Sequence, residues 1–330
     1  MEGKAAAGRD FEDARRRRRQ RPEKRTPPQS VKEREVYNVI ANPQAGEGKK
    51  KKLLERALAR FAERGKQVRL YQTEKPGDAA AFAAKLSREG EGDIVAFGGD
   101  GTLHEVLKGF ENFEACALGL IPAGTGNDFA ASAGIPLQPE AAADLIADTQ
   151  PQLTDFLQLP QGVRGINAAG TGIDVEILRR CRDSKFLRGK MQYLVSLIVS
   201  LIKYKNYTFT VRVNGQESRH SALIACVGNG QTIGGGIRMC PQAHICDGML
   251  DFVAVDDVKK ASIPAAFVKL MKGRILEEPF TFFERCKHVE IVPDAPMTVQ
   301  VDGELYDGLP FIADIVENKL RMWRGAPQTV

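Results

Sequence analysis

The chain has 330 residues, 43% apolar and 27% charged, a globular composition long enough for two domains of roughly 100–200 residues each. Its net charge of +5 sits in one place: residues 1–34 hold 12 Lys and Arg against 6 Asp and Glu, leaving 35 against 36 in the rest. The body is therefore neutral, and with no aromatics interleaved among the arginines no nucleic-acid partner is expected.

Residues 1–35 read as a disordered basic arm, with Arg15 to Arg19 followed by Arg21, Lys24 and Arg25. An inert tail, a tether to an anionic membrane surface and a nucleic-acid arm compete as readings. Attraction to an anionic bilayer is worth about 1 kcal/mol per basic residue near the surface. The six cysteines form no Cys-x-x-Cys pair, and no secretory h-region precedes them. Reduced thiols in the cytoplasm are expected. Cys240, His244 and Cys246 lack a second ligand pair, so no zinc site is expected there.

Residues 36–150 read as an α/β domain with a parallel sheet. A strand over 36–43 ends in the polar glycine loop Asn42-Pro43-Gln44-Ala45-Gly46. A helix follows with Leu54, Leu58 and Phe61 on one face, stopped by Gly65. A strand over 67–73 ends at Thr73, and Asp78 is the expected cap of the next helix. The run 93–97 is a buried strand by its unbroken apolarity. Gly98-Gly99-Asp100-Gly101-Thr102 then turns the chain with little side chain in the way, and Thr102 reads as the cap of a helix whose Leu103, Val106, Leu107 and Phe110 share one face. Free N–H groups at a helix start invite phosphate, and a carboxylate at Asp100 suits Mg²⁺ held against that phosphate. A strand over 117–121 leads into Gly124-Thr125-Gly126-Asn127-Asp128-Phe129. All these loops follow strand ends, where open α/β sheets bind ligands.

From about Pro151 the pattern changes to mostly antiparallel β, a sandwich or barrel. Strands are expected over 153–159, 163–169, 207–213, 221–227, 249–255, 287–292 and 297–301, with a hairpin at Asn214-Gly215. Helices are expected near 174–182, 190–204 and 259–273. The run 191–204 is apolar almost all round, but shorter than the about 20 residues a bilayer span needs. It reads as a buried helix, part of which could line a lipid-admitting cleft.

Neither a Walker P-loop nor a dinucleotide fingerprint is present. Instead, Gly-Gly-Asp-Gly-Thr resembles the nucleotide loop of diacylglycerol, sphingosine and NAD kinases and of phosphofructokinases. Asn42-Pro43-x-Ala45-Gly46, the loop 124–129, Arg188-Gly189-Lys190 with Tyr193, the Asp-Gly-x-Leu-Asp block 247–251 and the Asp-Gly-Glu block 302–304 are similar, in order, to the diacylglycerol kinase catalytic-domain family. NAD kinases share only the first domain's logic. The resemblance implies a soluble bacterial lipid kinase with an α/β ATP-binding domain (36–150) and a β-sandwich lipid-substrate domain (151–330), whose extreme C-terminus returns to the first. It implies ATP held by Asn42, Pro43, Gln44, Ala45, Gly46, Thr73, Gly98, Gly99, Asp100, Gly101, Thr102, Leu103, His104 and Thr125. It implies Mg²⁺ at Asp100 and Glu304 as proton acceptor. A structural Mg²⁺ is implied at Asp247, with the main-chain carbonyls of His244 and Met249. His104 stands where the family has asparagine, a departure that leaves the phosphate contact open. The acceptor is a lipid alcohol, with diacylglycerol ahead of a sphingoid base, phosphatidylglycerol or a polyprenol. The expected location is the cytoplasm, peripheral to the inner face of the membrane. The oligomeric state is left open, a homodimer included.

Overall fold

Four short strands with helices between them build the first half of the chain. They are β1 (Val36–Ala41), β2 (Gln67–Gln72), β3 (Asp93–Gly98) and β4 (Leu118–Pro122), paired in parallel in the order β2-β1-β3-β4. β3 and β4 are buried along their whole length. A strand covered on both faces carries no alternation, hence the continuous apolar runs in the sequence. The cover comes from α1 (Lys49–Glu63), α2 (Asp78–Glu89), α3 (Asp100–Gly109), α4 (Asp128–Ser132) and α5 (Pro139–Asp148). The computed structural model describes residues 36–42, 48–183, 206–258 and 262–325. The basic arm, Pro43 to Gly46, the Arg188-Gly189-Lys190 block with Tyr193 and the helix expected over 190–204 lie outside these residues.

Two expected caps are placed differently. α3 starts at Asp100 behind Gly99, so Thr102 lies inside its first turn. The Thr102 side chain folds back over Gly98, where an added Cβ would collide with its Oγ1. Asp78 does not cap α2. Its Oδ2 accepts from the amides of Glu74 (2.8 Å) and Lys75 (3.0 Å), so it ties down the turn before the helix. The apolar face of α3 is as expected, with Leu103, Val106, Leu107 and Phe110 all in the core.

The second half holds β5 (Gln152–Gln158), β6 (Arg164–Gly165), β7 (Ala168–Gly172), β8 (Tyr207–Val213), β9 (Gln216–Gly228), β10 (Leu250–Asp256), β11 (Thr281–Cys286), β12 (His288–Pro293), β13 (Thr298–Val301), β14 (Glu304–Asp307) and β15 (Phe311–Met322), with α6 (Ile173–Asp183) and α7 (Ile263–Met271). Pairing among these strands is antiparallel and forms the sandwich. Asn214 (φ 51°) and Gly215 (φ 76°) close the β8–β9 hairpin, the left-handed pair that such a turn requires. The strand expected over 163–169 splits into β6 and β7, because the amides of Ile166 and Asn167 between them, and of Ala168 at the start of β7, donate to the Asp302 carboxylate instead of to a neighbouring strand. β11, β14 and β15 are strands the sequence reading did not anticipate.

β15 joins the halves. It pairs with β12 and β5 and ends with Met322 beside Leu118 of β4. Trp323 follows, its amide on the Leu118 carbonyl (3.2 Å) and its ring edge-on to Tyr37 at 5.8 Å. Among the described residues no helix is long and apolar enough to cross a membrane.

Candidate active site

The loop after β3 and the loop after β4 cross at two glycines. A Cβ on Gly124 would fall 2.5 Å from the Gly99 Cα, so the backbones touch with no room for a side chain. Asn127, at φ 57°, folds its amide back on Gly124, accepting from its N–H at 3.1 Å and donating to its carbonyl at 3.0 Å. This crossing brings two carboxylates together. Asp100 accepts from the amides of Asp128 and Phe129, both at 3.2 Å. Asp128 accepts from the Gly235 amide at 2.7 Å. Burial, and then the charge of Asp128, push the Asp100 carboxyl above its ordinary pKa. Two neighbouring anions with amides already on them favour a cation.

Both carboxylates line a cavity of about 370 Å³ whose other walls come from the second half, among them Asn167, Asp174, Gln300, Asp302 and Gly303. Thr125 also lines it. Asp174 is buried, with Oδ1 on the Val175 amide (2.9 Å) and Oδ2 without a partner in the described residues. Its pKa is pushed up to about 7 by burial. Asp174 and Ile233 also line a second, apolar cavity of about 80 Å³, walled by α6, β9 and α7.

Other expected site residues take varied places. Gly98 ends β3, Gly99 precedes α3, and Gly101 and Thr102 lie with Asp100 in its first turn, while the Leu103 side chain is fully buried in the core, so only its main chain is available. Thr73 follows β2, its amide on the Ala41 carbonyl at 2.9 Å, and Asn42 follows β1. Pro43, Gln44, Ala45 and Gly46 lie outside the described residues. His104 does not turn toward the loop. Its ring is 3% exposed, with Nδ1 3.2 Å from Asp302 Oδ2 and Nε2 3.2 Å from the Tyr306 hydroxyl. The imidazole reaches groups on the second half, Asp302 and Tyr306.

The two carboxylates of the Asp-Gly-Glu turn have opposite surroundings. Asp302 accepts from the amides of Ile166 (2.7 Å), Asn167 (3.0 Å) and Ala168 (2.9 Å) as well as facing His104. It is an anchor with its lone pairs in use. Glu304, two residues on, is exposed at the start of β14. Burial, followed by the charges of Glu304 and Asp302, raises the pKa of Tyr306.

The residues expected to hold a structural Mg²⁺ do not present an open site. The Asp247 carboxylate pairs with the Arg285 guanidinium and accepts from the Met249 amide at 3.1 Å. Arg285 also reaches the buried Asp251 at 3.1 Å, and the His244 carbonyl accepts from the Cys246 amide at 2.8 Å. Arg285 already supplies the positive charge an ion would supply. Among the described residues no three His, Cys, Asp or Glu side chains converge as a metal set. At Asp100 and Asp128 the fit is better: two carboxylates plus phosphate oxygens and water is the usual donor set for Mg²⁺.

Asp128, Asp174, Asn167, Gln300 and Tyr306 escaped the sequence reading. Asp128 had a signal, since it sits in the same glycine loop as Thr125. The others meet the site only through pairings far apart in the chain.

Residues 37–159 match the diacylglycerol kinase catalytic domain family, and residues 167–324 match the YegS C-terminal NAD kinase beta sandwich-like domain family. A "Probable lipid kinase YegS-like" of Xanthomonas euvesicatoria pv. vesicatoria is 32% identical over 283 residues, covering 82% of this chain and 90% of that protein. A "Diacylglycerol kinase" of Mycobacterium tuberculosis is 29% identical over 294 residues, covering 87% and 94%. A solved structure of a diacylglycerol kinase from Bacillus anthracis superposes with TM-score 0.70 at 22% identity, covering 90% of this chain and 99% of that one.

Proposed function

Because the chain belongs to the diacylglycerol kinase catalytic-domain family of lipid kinases, we propose that it moves the γ-phosphate of ATP to the hydroxyl of diacylglycerol, giving phosphatidic acid. The observation that carries this reading is a pair of neighbouring cavities that share Asp174 and Ile233 in their walls. A polar one holds Asp100 and Asp128, and an apolar one adjoins it at Asp174 and Ile233. Phosphate chemistry beside an apolar chamber suits a donor with phosphates and an acceptor with a hydrocarbon tail.

The glycine loops around Gly99 and Gly124 bring main-chain N–H groups to the nucleotide phosphates, and the start of α3 adds its dipole. Asp100 and Asp128 would hold Mg²⁺, which neutralises charge on the phosphates when bound. Asp302 fixes the turn that carries Glu304. The lipid oxygen bonds to the γ-phosphorus, the bond to the β–γ bridging oxygen breaks, ADP leaves, and Glu304 takes the hydroxyl proton. Phosphoryl transfer needs little covalent help from the protein, so positioning and charge account for most of the rate. The basic arm tethers the enzyme to an anionic membrane surface, where its substrate lies.

Radiolabelled ATP offered with diacylglycerol, a sphingoid base, phosphatidylglycerol, a polyprenol, NAD and sugars tests the reading. Label on diacylglycerol is expected. Label only on another lipid replaces the acceptor, and label only on NAD or sugar removes the lipid reading. With the accepted lipid, Asp100→Ala is expected to abolish transfer. Glu304→Gln is expected to lower turnover about 10²–10⁴-fold, the usual share of a general base, with ATP affinity nearly unchanged. Wild-type turnover in Glu304→Gln would remove Glu304 from the chemistry. Deleting residues 1–34 is expected to weaken binding to anionic vesicles most at low salt; equal binding by both forms would make the arm inert.

A further inference from the structure

The two sides of the proposed reaction lie on different parts of the sheet. Asp100 opens α3, and Glu304 opens β14. One turn along α3 from Asp100, the His104 ring is buried between Asp302 and Tyr306, which flank Glu304 on either side in sequence. An ionised carboxylate only accepts, so Nδ1 donates to Asp302, and in the neutral tautomer that this fixes Nε2 accepts from the Tyr306 hydroxyl. The far end of α3 is held to the same half of the molecule, because the Arg164 guanidinium donates to the Phe110 carbonyl. α3 therefore meets the second half near both His104 and Phe110, and the contact nearer the chemistry is His104.

We propose that His104 is a positioning residue that fixes the turn carrying Glu304 relative to the helix start carrying Asp100. The amides of Ile166, Asn167 and Ala168 already hold Asp302, but these lie in the same half as the turn. They set the shape of the turn and leave its distance from α3 open. The ring closes that gap with two hydrogen bonds, one to each flank of Glu304. An asparagine at this position matches the ring only as far as Nδ1, so it reaches Asp302 and not Tyr306. The second bond is thus specific to a histidine paired with a tyrosine. Displacement of a positioned group by about 1 Å can cost on the order of 10²-fold in rate.

This inference rests on Glu304 as the base, and the test separates the two. His104→Asn keeps a donor for Asp302, His104→Gln keeps an acceptor for Tyr306, and His104→Ala keeps neither. Turnover on the accepted lipid is expected to fall about tenfold to a hundredfold in the alanine variant and less in the other two, with KM for ATP within about twofold. Tyr306→Phe is expected to lower kcat in the wild-type background and to change nothing further on top of His104→Asn. Amide hydrogen exchange over residues 303–307 is expected to quicken in His104→Ala while exchange in β8 and β9 does not. A lower melting temperature with unchanged kcat and unchanged exchange would reduce the ring to packing and overturn the proposal. A raised KM for ATP at constant kcat would overturn it too, by making the ring a nucleotide contact. If the wild type phosphorylates no lipid, the functional reading fails, and the exchange experiment alone decides whether the tie exists.

Discussion

At the scale of single residues, Asp174 carries an unfavourable burden that the fold tolerates. It is buried with one oxygen unpartnered among the described residues, and an added Cβ on Gly170 would collide with that oxygen. Burial pushes its pKa up to about 7, whereas an unfolded aspartate titrates near about 4. Between those values the folded chain binds a proton that the unfolded chain has released. Stability should therefore fall as pH rises through that window, by at most about 1.4 kcal/mol per unit. An asparagine side chain cannot ionise, so Asp174→Asn is expected to melt above the wild type at about pH 8, with the gap closing toward about pH 4. Parallel melting curves across this range would mean that Asp174 titrates in the folded chain as it does in the unfolded one, solvated in a way its burial does not suggest. A buried, costly carboxyl where the two cavities meet is a feature that function, more than stability, would retain.

At the scale of elements, the glycine crossing gives the next prediction. Gly124→Ala would place a methyl 2.5 Å from the Gly99 Cα, so the loops after β3 and β4 must separate. Both strands stay buried and paired, so the fold should persist while the amides proposed to face the phosphates shift. The expected result is a raised KM for ATP with a melting temperature lowered by a few degrees; unchanged nucleotide kinetics would show that the close approach is not used. This site was legible in the sequence for a physical reason. Gly98 to Thr102 is a local device, in which turn, helix start and carboxylate lie within five residues. The same holds for Asn214-Gly215 and the buried strands, whose signals are their own backbone preferences. Asp302, by contrast, meets His104 across 198 residues, and that pairing decides which carboxylate of the Asp-Gly-Glu turn is anchored and which is exposed. Its capture of three amides is also what breaks the expected strand over 163–169. Short-range patterns carry no trace of such a contact. Of the two misplaced caps, Asp78 found nearer partners in the amides of Glu74 and Lys75, and Thr102 falls inside the first turn because the helix starts two residues earlier, at Asp100.

At the scale of the whole molecule, β15 makes the described chain one mechanical unit. It pairs with β12 and β5 along most of its length, then passes Met322 to the side of β4. Leu320, Met322 and Trp323 are buried in the same core as Tyr37, Ile94 and Phe97 of the parallel sheet. The Trp323 indole N–H donates to the Thr149 carbonyl at 3.0 Å, pinning the end of α5. The first half thus cannot complete its core without a segment about 200 residues downstream of β4. Unfolding is then expected as a single transition in which loss of β15 exposes both halves together. Trp323→Ala removes a buried ring and a hydrogen bond, a change that typically costs about 3–5 kcal/mol. It should lower that one transition as a whole, with near-unchanged cooperativity. Two resolved calorimetric transitions in the wild type, or a Trp323→Ala variant that loses only the parallel half, would mean that the halves fold independently and that β15 merely rests on β4. The outcome also bears on the proposed chemistry, because Asp100 lies in the first half and Glu304 in the second, and β15 is the strand that joins the two.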